Sequence, residues 1–387
     1  RPHPRADTMT GPDPYPDSSA VGARAAQPGD PSGATHRRGR GCLISAGVLA
    51  GLIVLAVVVA VVAIKRFDSA AAVPKNFAPP GSLPGATPLS DRSLAFDSDR
   101  TGNFEIFVAA VDDSSAPRQL TDDPSLDSWW PRISPDRRTI LFYRAPAGVH
   151  DLDATKVSLW AMGADGSNPV ELRPAGLDGW TLQGHAEWQP DGTALVMFGG
   201  SRLNPQVFIT DPTGQQPRQL TDRGGRNIDP AYSSDGRRVW FVGCPKSFCS
   251  DGDQEIFSVE LNAAGDGPVA EPIRHTNDGL RDNDPYESPD GSSLGWLTQL
   301  ETDGIGVWDI RLATIDREGR FTSEPRRLMN DSAVTSRPQW SADGASIITH
   351  RLEPGGADFD LVRIDVSTGR LEPLGFNSSS NDEYPSL

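Results

Sequence analysis

The sequence predicts an all-β fold: a six-bladed β-propeller with four-stranded blades, closed by pairing of the N- and C-terminal segments and preceded by one transmembrane helix. The first observation is a short phrase around an aspartate that recurs five times. Its spacing of 55, 44, 55 and 53 residues is typical of repeat proteins, whose units bury apolar surface only by stacking on each other. The five phrases are SPDR at 134–137, QPDG at 189–192, SSDG at 233–236, SPDG at 288–291 and SADG at 341–344.

Each repeat contains four strand-like segments in the same order. The first ends in the aspartate phrase, a tight turn leads into the second, and the fourth resembles RQLT at 218–221. The predicted second strands are 139–143, 194–198, 239–242, 294–297 and 346–350. The third are 157–162, 206–211, 255–260, 307–312 and 359–364, and the fourth are 170–173, 218–221, 273–276, 326–329 and 372–375.

The two ends of the repeat region read as halves of one further unit. Residues 93–123 supply a second, third and fourth strand, and residues 381–387 supply a first strand. Joined, they make a sixth four-stranded unit. Units repeated radially hide their sheet edges by closing a ring, so this split unit predicts a closed six-bladed propeller.

The second observation is an uncharged run near the N-terminus. Residues 42–64 form 23 positions without a charge, enough for a helix of about 34 Å that crosses a bilayer core. Arg37, Arg38 and Arg40 precede the run and favour a cytoplasmic N-terminus. A cleaved signal peptide is the alternative, because small residues follow at Ala70–Ala72.

Four regions follow from these patterns. We predict a disordered cytoplasmic tail at 1–41, a transmembrane signal anchor at 42–64, a Pro/Gly-rich linker at 65–88 and the propeller at 89–387. The expected location is the cell membrane, crossed once, with the propeller on the extracytoplasmic side.

Charge excludes one class of partner. Outside the tail and the Lys65–Arg66 pair, the chain carries 28 basic and 48 acidic residues, a net charge of −20. Such a domain repels phosphate backbones, so nucleic acid is not expected to bind.

Two of the three cysteines lie close together. Cys244 and Cys249 stand in the loop sequence CPKSFC without further Cys or His at ligand spacing. A local disulfide is predicted, which suits a compartment outside the cytosol, and two free thiols are the alternative. Cys42 lies at the edge of the uncharged run.

The repeat text resembles the TolB-type propeller repeat. The phrases that carry the resemblance are SDRTGNFEIFV at 98–108, RQLTDD at 118–123 and DPYESPDG at 284–291. That repeat occurs in the C-terminal domain of the bacterial periplasmic protein TolB and in many envelope proteins. The resemblance covers about 89–387 and implies a propeller of this type, with first strands that line a central channel.

Equivalent positions in those first strands differ in chemistry. In the five complete repeats a Pro or Ala stands five residues before the turn aspartate, and the position of interest directly precedes that Pro or Ala. A mixture of aromatic, cationic and anionic groups around one channel mouth suits a polar ligand or a peptide terminus, and a solvated channel lip is the alternative. The predicted ligand-binding residues are Trp130, His185, Asp229, Asp284, Arg337 and Tyr384.

The sequence matches catalytic and metal-binding motifs only incompletely. Ser293 lies in a G-x-S-x-G match that overlaps a repeat turn instead of preceding a helix, so no catalytic residue is predicted. Two oxygen-rich loops, with Asp97, Asp99 and Asn103 in one and Asp251 and Asp253 in the other, lack the full calcium-loop pattern. No cofactor is expected, and calcium remains an alternative.

The sequence therefore favours a non-catalytic, membrane-tethered propeller that binds a protein, peptide or envelope ligand outside the cytoplasm. A propeller hydrolase or lyase with its site at the channel mouth is the alternative.

Overall fold

The computed structural model describes residues 56–63, 65–66, 68–149, 152–222, 224–244, 246, 249, 251–301 and 306–387. The predicted tail at 1–41 lies outside them. Of the predicted transmembrane segment 42–64, only 56–63 is described, as helix. No helix in the described ranges is both long and apolar enough to cross a membrane. Residues 42–55 and 64 of the predicted segment lie outside the described residues.

The rest of the described chain is built from antiparallel β-sheets. Sheet 1 contains β24 (Asp382–Ser386), β1 (Ser93–Ser98), β2 (Glu105–Ala110) and β3 (Arg118–Gln119). Sheet 2 contains β4 (Leu126–Ile133), β5 (Thr139–Pro146), β6 (Ser158–Gly163) and β7 (Val170–Arg173). Sheet 3 contains β8 (Leu182–Trp188), β9 (Leu195–Ser201), β10 (Asn204–Thr210) and β11 (Arg218–Gln219). Sheet 4 contains β12 (Asn227–Tyr232), β13 (Arg238–Gly243), β14 (Glu255–Glu260) and β15 (Ile273–Arg274).

The remaining eight strands form one sheet. Its first half holds β16 (Arg281–Glu287), β17 (Ser293–Glu301), β18 (Val307–Thr314) and β19 (Arg326–Arg327). Its second half holds β20 (Val334–Trp340), β21 (Ser346–Leu352), β22 (Asp360–Asp365) and β23 (Leu371–Pro373). Short 3₁₀ turns lie at Ala154–Lys156, Leu177–Gly179 and Asp251–Asp253.

The prediction of six separate four-stranded blades is therefore wrong as stated: the described residues form four separate four-stranded sheets and one eight-stranded sheet. A single parallel pairing, Trp308 with Val334, joins the two halves of the larger sheet. β19 covers only Arg311 and Leu312 of β18 and leaves Trp308 uncovered. β3, β11 and β15 are equally short, and what differs here is that Val334, at the start of β20, lies beside the uncovered edge.

The first strands of the repeats form a closed inner ring. β4, β8, β12, β16 and β20 contact one another in sequence, and β24 contacts both β20 and β4. β24 also pairs with β1, so the last strand of the chain completes the sheet that begins the repeat region.

Apolar cores lie between neighbouring sheets. One packs Trp130 and Leu141 of sheet 2 against Leu195 and Met197 of sheet 3. Another packs Phe96 of sheet 1 against residues of the eight-stranded sheet. Each sheet thus buries its faces on its neighbours, as expected for stacked repeats.

The repeated aspartate has a structural role. In the first repeat, Ser134 Oγ donates to Asp136 Oδ1 over 2.6 Å, and the same oxygen accepts from the Arg138 N–H at 3.1 Å. These hydrogen bonds lower the pKa of Asp136. A left-handed residue follows, which is Gly in four repeats and Arg137, at φ 60°, in this one. The phrase that reveals the repeat is thus a turn, not a binding motif.

Part of the predicted linker lies against sheet 2. Thr139 Oγ1 donates to the Pro84 carbonyl over 2.6 Å, and the Ala86 N–H donates to the Arg138 carbonyl over 3.0 Å. Ala71 lies so close to Gly176 that a side chain on this glycine would meet the Ala71 carbonyl oxygen. Linker residues Ala71, Pro84 and Ala86 are therefore packed against the propeller.

Candidate functional site

The six residues predicted from the repeat alignment share one unusual backbone conformation. Each lies in an inner-ring strand at a β-bulge, where the register with the next strand shifts. Each also has a positive φ, between 41° and 58°, which non-glycine residues seldom adopt. We call them the ring residues: Trp130, His185, Asp229, Asp284, Arg337 and Tyr384.

The residue directly after each ring residue explains part of the bulge geometry. It is Pro in five strands and Ala186 in the sixth. A bulge leaves a backbone N–H without a ladder partner, and proline has none to satisfy. In the exception, the Ala186 N–H donates to the Tyr143 hydroxyl over 3.0 Å.

Neighbouring repeats also fix the ring residues themselves. The Trp130 N–H donates to Asp97 Oδ1 over 2.9 Å, and the Tyr384 N–H donates to His350 Nδ1 over 3.2 Å. Both acceptors lie on the second strand of the preceding repeat. The bulges at Trp130 and Tyr384 are therefore held by hydrogen bonds from the preceding repeat.

Three ring residues bring acid and imidazole groups together. His185 Nδ1 lies 2.9 Å from Asp229 Oδ1 and 3.6 Å from Asp284 Oδ1. All three residues are buried. Burial, followed by the charge of Asp229, raises the pKa of Asp284 to about 7. We call this trio the acid–imidazole cluster.

A second network joins sheet 3 to the opposite side of the ring. Arg337 donates to both Glu187 Oε1 and the Tyr286 hydroxyl, and Arg132 Nε donates to Glu187 Oε1 over 2.6 Å. The Tyr286 hydroxyl lies 3.0 Å from the same oxygen. Burial and the charge of Glu187 raise the pKa of Tyr286 well above its ordinary value, so it remains a neutral phenol.

Aromatic rings pack between the two networks. The Arg337 guanidinium lies 3.6 Å from the centre of the Trp130 ring, within cation–π range. The Trp130 ring centre is 3.8 Å from that of His185 and 4.7 Å from that of Tyr384. The structure thus brings all six ring residues into side-chain contact with another ring residue, and Arg337 reaches Glu187 as well as Trp130.

Sequence reasoning missed Arg132, Glu187 and Tyr286. Each lies two residues beyond a ring residue on the same strand. The alternation of side chains along a strand could not have found them, because each lies across a β-bulge, where the register shifts.

The other predicted motifs lie elsewhere. Ser293 begins β17, where its N–H donates to Ser288 Oγ over 3.0 Å in a hairpin turn. Asp99 accepts hydrogen bonds from the N–H and the side-chain amide of Asn381, and the Asn103 amide group donates to Glu105 and to two carbonyl groups. Asp253 pairs with Lys246. Cys244 and Cys249 are joined by a disulfide.

Two trios could hold a metal ion among the described residues. One is the acid–imidazole cluster, and the other is Glu255, Asp278 and Asp282. In each, one ligand atom per residue lies within 4.8 Å of the others. Neither trio coincides with the calcium loops considered from the sequence. A separate groove of about 800 Å³ lies between sheets 3 and 4, and ring residues do not line it.

Comparison with known proteins supports the fold. No protein-family model matches the chain. It is 27% identical over 173 residues to a TolB homologue of Chlorobium luteolum. The matched region covers 44% of this chain and 36% of that protein. It is 26% identical over 169 residues to an uncharacterised protein of Agrobacterium fabrum, covering 43% of this chain and 54% of that one. The chain thus spans about half or less of the length of these curated relatives.

Among solved structures, TolB from Acinetobacter baumannii superposes with a TM-score of 0.57 at 15% identity, covering 77% of this chain and 67% of that one. The chain folds as a TolB-like β-propeller. At this identity the likeness establishes the fold of the TolB-like propeller alone, and its function must be argued from the ring residues.

Proposed function

We propose that the TolB-like propeller is a non-catalytic binding module that takes a polar, charged segment of a peptide or protein partner at the inner ring. One observation supports this most directly. Asp284 Oδ1, Arg132 Nη2 and both Arg337 Nε and Nη1 are buried, and none has a hydrogen-bond partner among the described residues. Unpaired donors and acceptors therefore occur in the same ring.

Such atoms cost free energy when they are buried, roughly 1–3 kcal/mol each and more for charged groups. A ligand that carries both signs of charge would satisfy them, with its anionic group on the arginines and its cationic group on the aspartates. Peptide segments with charged side chains or termini have this chemistry.

The contacts within the ring weigh against catalysis. Arg337, Glu187 and Tyr286 bind one another, and Arg337 has no exposed surface. These groups stabilise each other, so none of the three is left free to act as a general acid or base.

A capture experiment tests the proposal. The propeller is used as bait for cross-linking in intact membranes, as wild type and as Asp284→Asn. We expect one set of partners that wild type captures and Asp284→Asn loses. Asp122→Asn, which changes an exposed carboxylate, is the matched control and should capture as wild type does. Equal capture by all three proteins would contradict binding at the ring.

An enzyme is the second candidate, and the 2.9 Å contact between His185 Nδ1 and Asp229 favours it. A carboxylate beside an imidazole orients a general base. If the captured ligand is consumed, His185→Ala should abolish its turnover while capture persists. A ligand recovered unchanged from both proteins supports the binding module.

We also infer that the two halves of the eight-stranded sheet act as two blades, so that the propeller has six. Its halves are joined by one pairing, and each half contributes one ring residue, Asp284 or Arg337. Six bulged first strands around one ring support this count. A crystal structure of the propeller would test it.

The cell membrane remains the proposed location, with the propeller outside the cytoplasm. The uncharged run at 42–64 and the arginines before it support this proposal. Protease added to intact cells should then digest the propeller. Recovery of a soluble mature protein that begins near Val73 would contradict the anchor.

A further inference from the structure

A second trio of carboxylates lies where sheet 4 meets the eight-stranded sheet. Glu255 begins β14, Asp282 lies in β16, and Asp278 lies in the loop that connects these sheets. One carboxylate oxygen of each lies within 4.8 Å of the others. Glu255 and Asp282 are almost fully buried, with 1% and 0% of their surface exposed.

Asp282 uses only one of its two oxygens in the hydrogen bonds of its own strand pair. Its Oδ1 accepts from Thr298 Oγ1 at 2.7 Å and from Trp296 Nε1 at 3.2 Å. Its Oδ2 is buried and has no hydrogen-bond partner within the described part of the chain.

Glu255 shows the same asymmetry. Arg274 Nη2 donates to its Oε1 over 2.7 Å, while its Oε2 is buried and lacks a hydrogen-bond partner in the described ranges. Arg311 binds Asp278 from the partly exposed side. The arginines therefore bind one oxygen each of Glu255 and Asp278, and two buried carboxylate oxygens, Asp282 Oδ2 and Glu255 Oε2, have no hydrogen-bond partner in the described ranges. Leaving such oxygens unpaired costs free energy, which a bound cation or a proton would offset.

Other repeats meet the same structural need without this trio. In sheet 3 the equivalent residue is the neutral Gln206, whose Oε1 accepts from Asn227 Nδ2 at 3.1 Å. In sheet 1 it is Glu105, whose Oε1 accepts from Asn103 Nδ2 and from the Asp123 N–H. A side-chain oxygen at the start of the third strand is thus a hydrogen-bond acceptor in three repeats. Of the two candidate metal trios found among the described residues, one combines this position, Glu255 in sheet 4, with the buried Asp282.

We propose that Glu255, Asp278 and Asp282 bind a divalent cation of the calcium class. Hard cations of this kind take carboxylate oxygens and complete their coordination with water. Asp282 Oδ2 and Glu255 Oε2 supply the buried ligands, and Asp278 supplies the third from the loop. A bound ion would join β14 to β16 and so stabilise the contact between sheet 4 and the eight-stranded sheet.

Calcium and terbium ions are the probes. Calcium added to chelator-treated full-length protein should raise its melting temperature by several degrees, because a ligand bound only to the folded state stabilises it. Terbium should give luminescence sensitised by Trp296, whose indole N–H bonds to Asp282. Asp282→Asn should lose both responses, and Trp296→Phe should lose luminescence and keep the calcium shift.

Glu105→Gln is the matched control, because it changes a buried carboxylate with an unpaired oxygen at the same strand position in sheet 1. It should keep both responses. Absence of both responses in the wild type would overturn the proposal. So would responses that survive Asp282→Asn but disappear in Asp229→Asn, because the ion would then lie at the acid–imidazole cluster. If Asp282→Asn does not fold, the luminescence of wild type and of Trp296→Phe still locates the ion, because its loss in Trp296→Phe places the ion beside Trp296.

Discussion

Arg337 of β20 donates a hydrogen bond to Glu187 of β8, so this contact crosses the inner ring between strands that are not neighbours. Arg132 of β4 binds the same carboxylate. One glutamate therefore compensates two buried guanidinium groups that come from different repeats. The centre of the propeller is held by this charge network as well as by the apolar cores between sheets.

Glu187→Gln should strongly destabilise the propeller. The substitution keeps the shape of the side chain but leaves two buried arginines without their shared counter-charge. Breaking a buried ion pair from one side costs about 3–5 kcal/mol, so we expect a loss of about 3 kcal/mol in the free energy of unfolding. Urea denaturation measures it. Glu271→Gln, at an exposed position, is the control, and equal midpoints for both variants would contradict the network's role.

His350→Gln should make the protein less sensitive to acid. Burial lowers the pKa of His350 to about 3 from an ordinary value of 6.5. Between these values the unfolded chain binds the proton and the folded protein does not, so stability is complete above pH 6.5 and falls as the pH drops towards 3. Glutamine does not titrate and can still accept from the Tyr384 N–H.

The measurement compares wild type with His350→Gln in how much the free energy of unfolding falls between pH 7 and pH 4.5. It should be smaller in His350→Gln than in wild type by about 3 kcal/mol, since the range from pH 6.5 to 4.5 spans two pH units and one pKa unit corresponds to about 1.4 kcal/mol. Parallel pH profiles for the two proteins would show that His350 does not contribute.

Repeat spacing was enough to find the ring residues, because each precedes a Pro or Ala at a fixed distance from a turn aspartate. Their left-handed backbone could not be predicted from composition, since Trp, Arg and Tyr seldom adopt it. The contact of Arg337 with Glu187 was also hidden. It joins residues 150 positions apart and depends on how the ring closes.

The joining of two repeats into the eight-stranded sheet could not be predicted from the repeat pattern, for a different reason. The sequence gives β19 the same fourth-strand pattern as its equivalents, such as RRLM at 326–329 beside RQLT at 218–221. Whether the uncovered edge of β18 then pairs with the next repeat depends on a single contact, Trp308 with Val334. A local pattern does not determine such a contact.

Reduction of the Cys244–Cys249 disulfide should destabilise sheet 4 only modestly. The cysteines are separated by five positions, and the chain-entropy estimate for so short a loop is about 2 kcal/mol. Intact-mass analysis after alkylation, with and without reductant, should detect the bridge, and thermal melting should measure its effect. Two alkylated thiols in the unreduced protein would contradict the disulfide.

Removal of residues 381–387 should open the propeller. β24 forms the inner edge of sheet 1 through Ala95 with Ser386 and Ser98 with Asp382, and Asp382 also pairs with Arg100. Without this strand, β1 exposes a row of unpaired backbone groups to the channel, and Tyr384 is lost from the ring. The truncated protein should therefore melt at a markedly lower temperature or aggregate.

Two controls separate closure from a general effect of shortening the chain. Removal of 1–41 should leave the melting of the propeller unchanged, because the predicted tail contributes no repeat. Asp382→Ala, which keeps the strand but removes its ion pair with Arg100 and its contacts with Ser378, should lie between wild type and the truncation. If the C-terminal truncation melts like the wild type, β24 does not close the ring, and the inferred count of six blades fails with it.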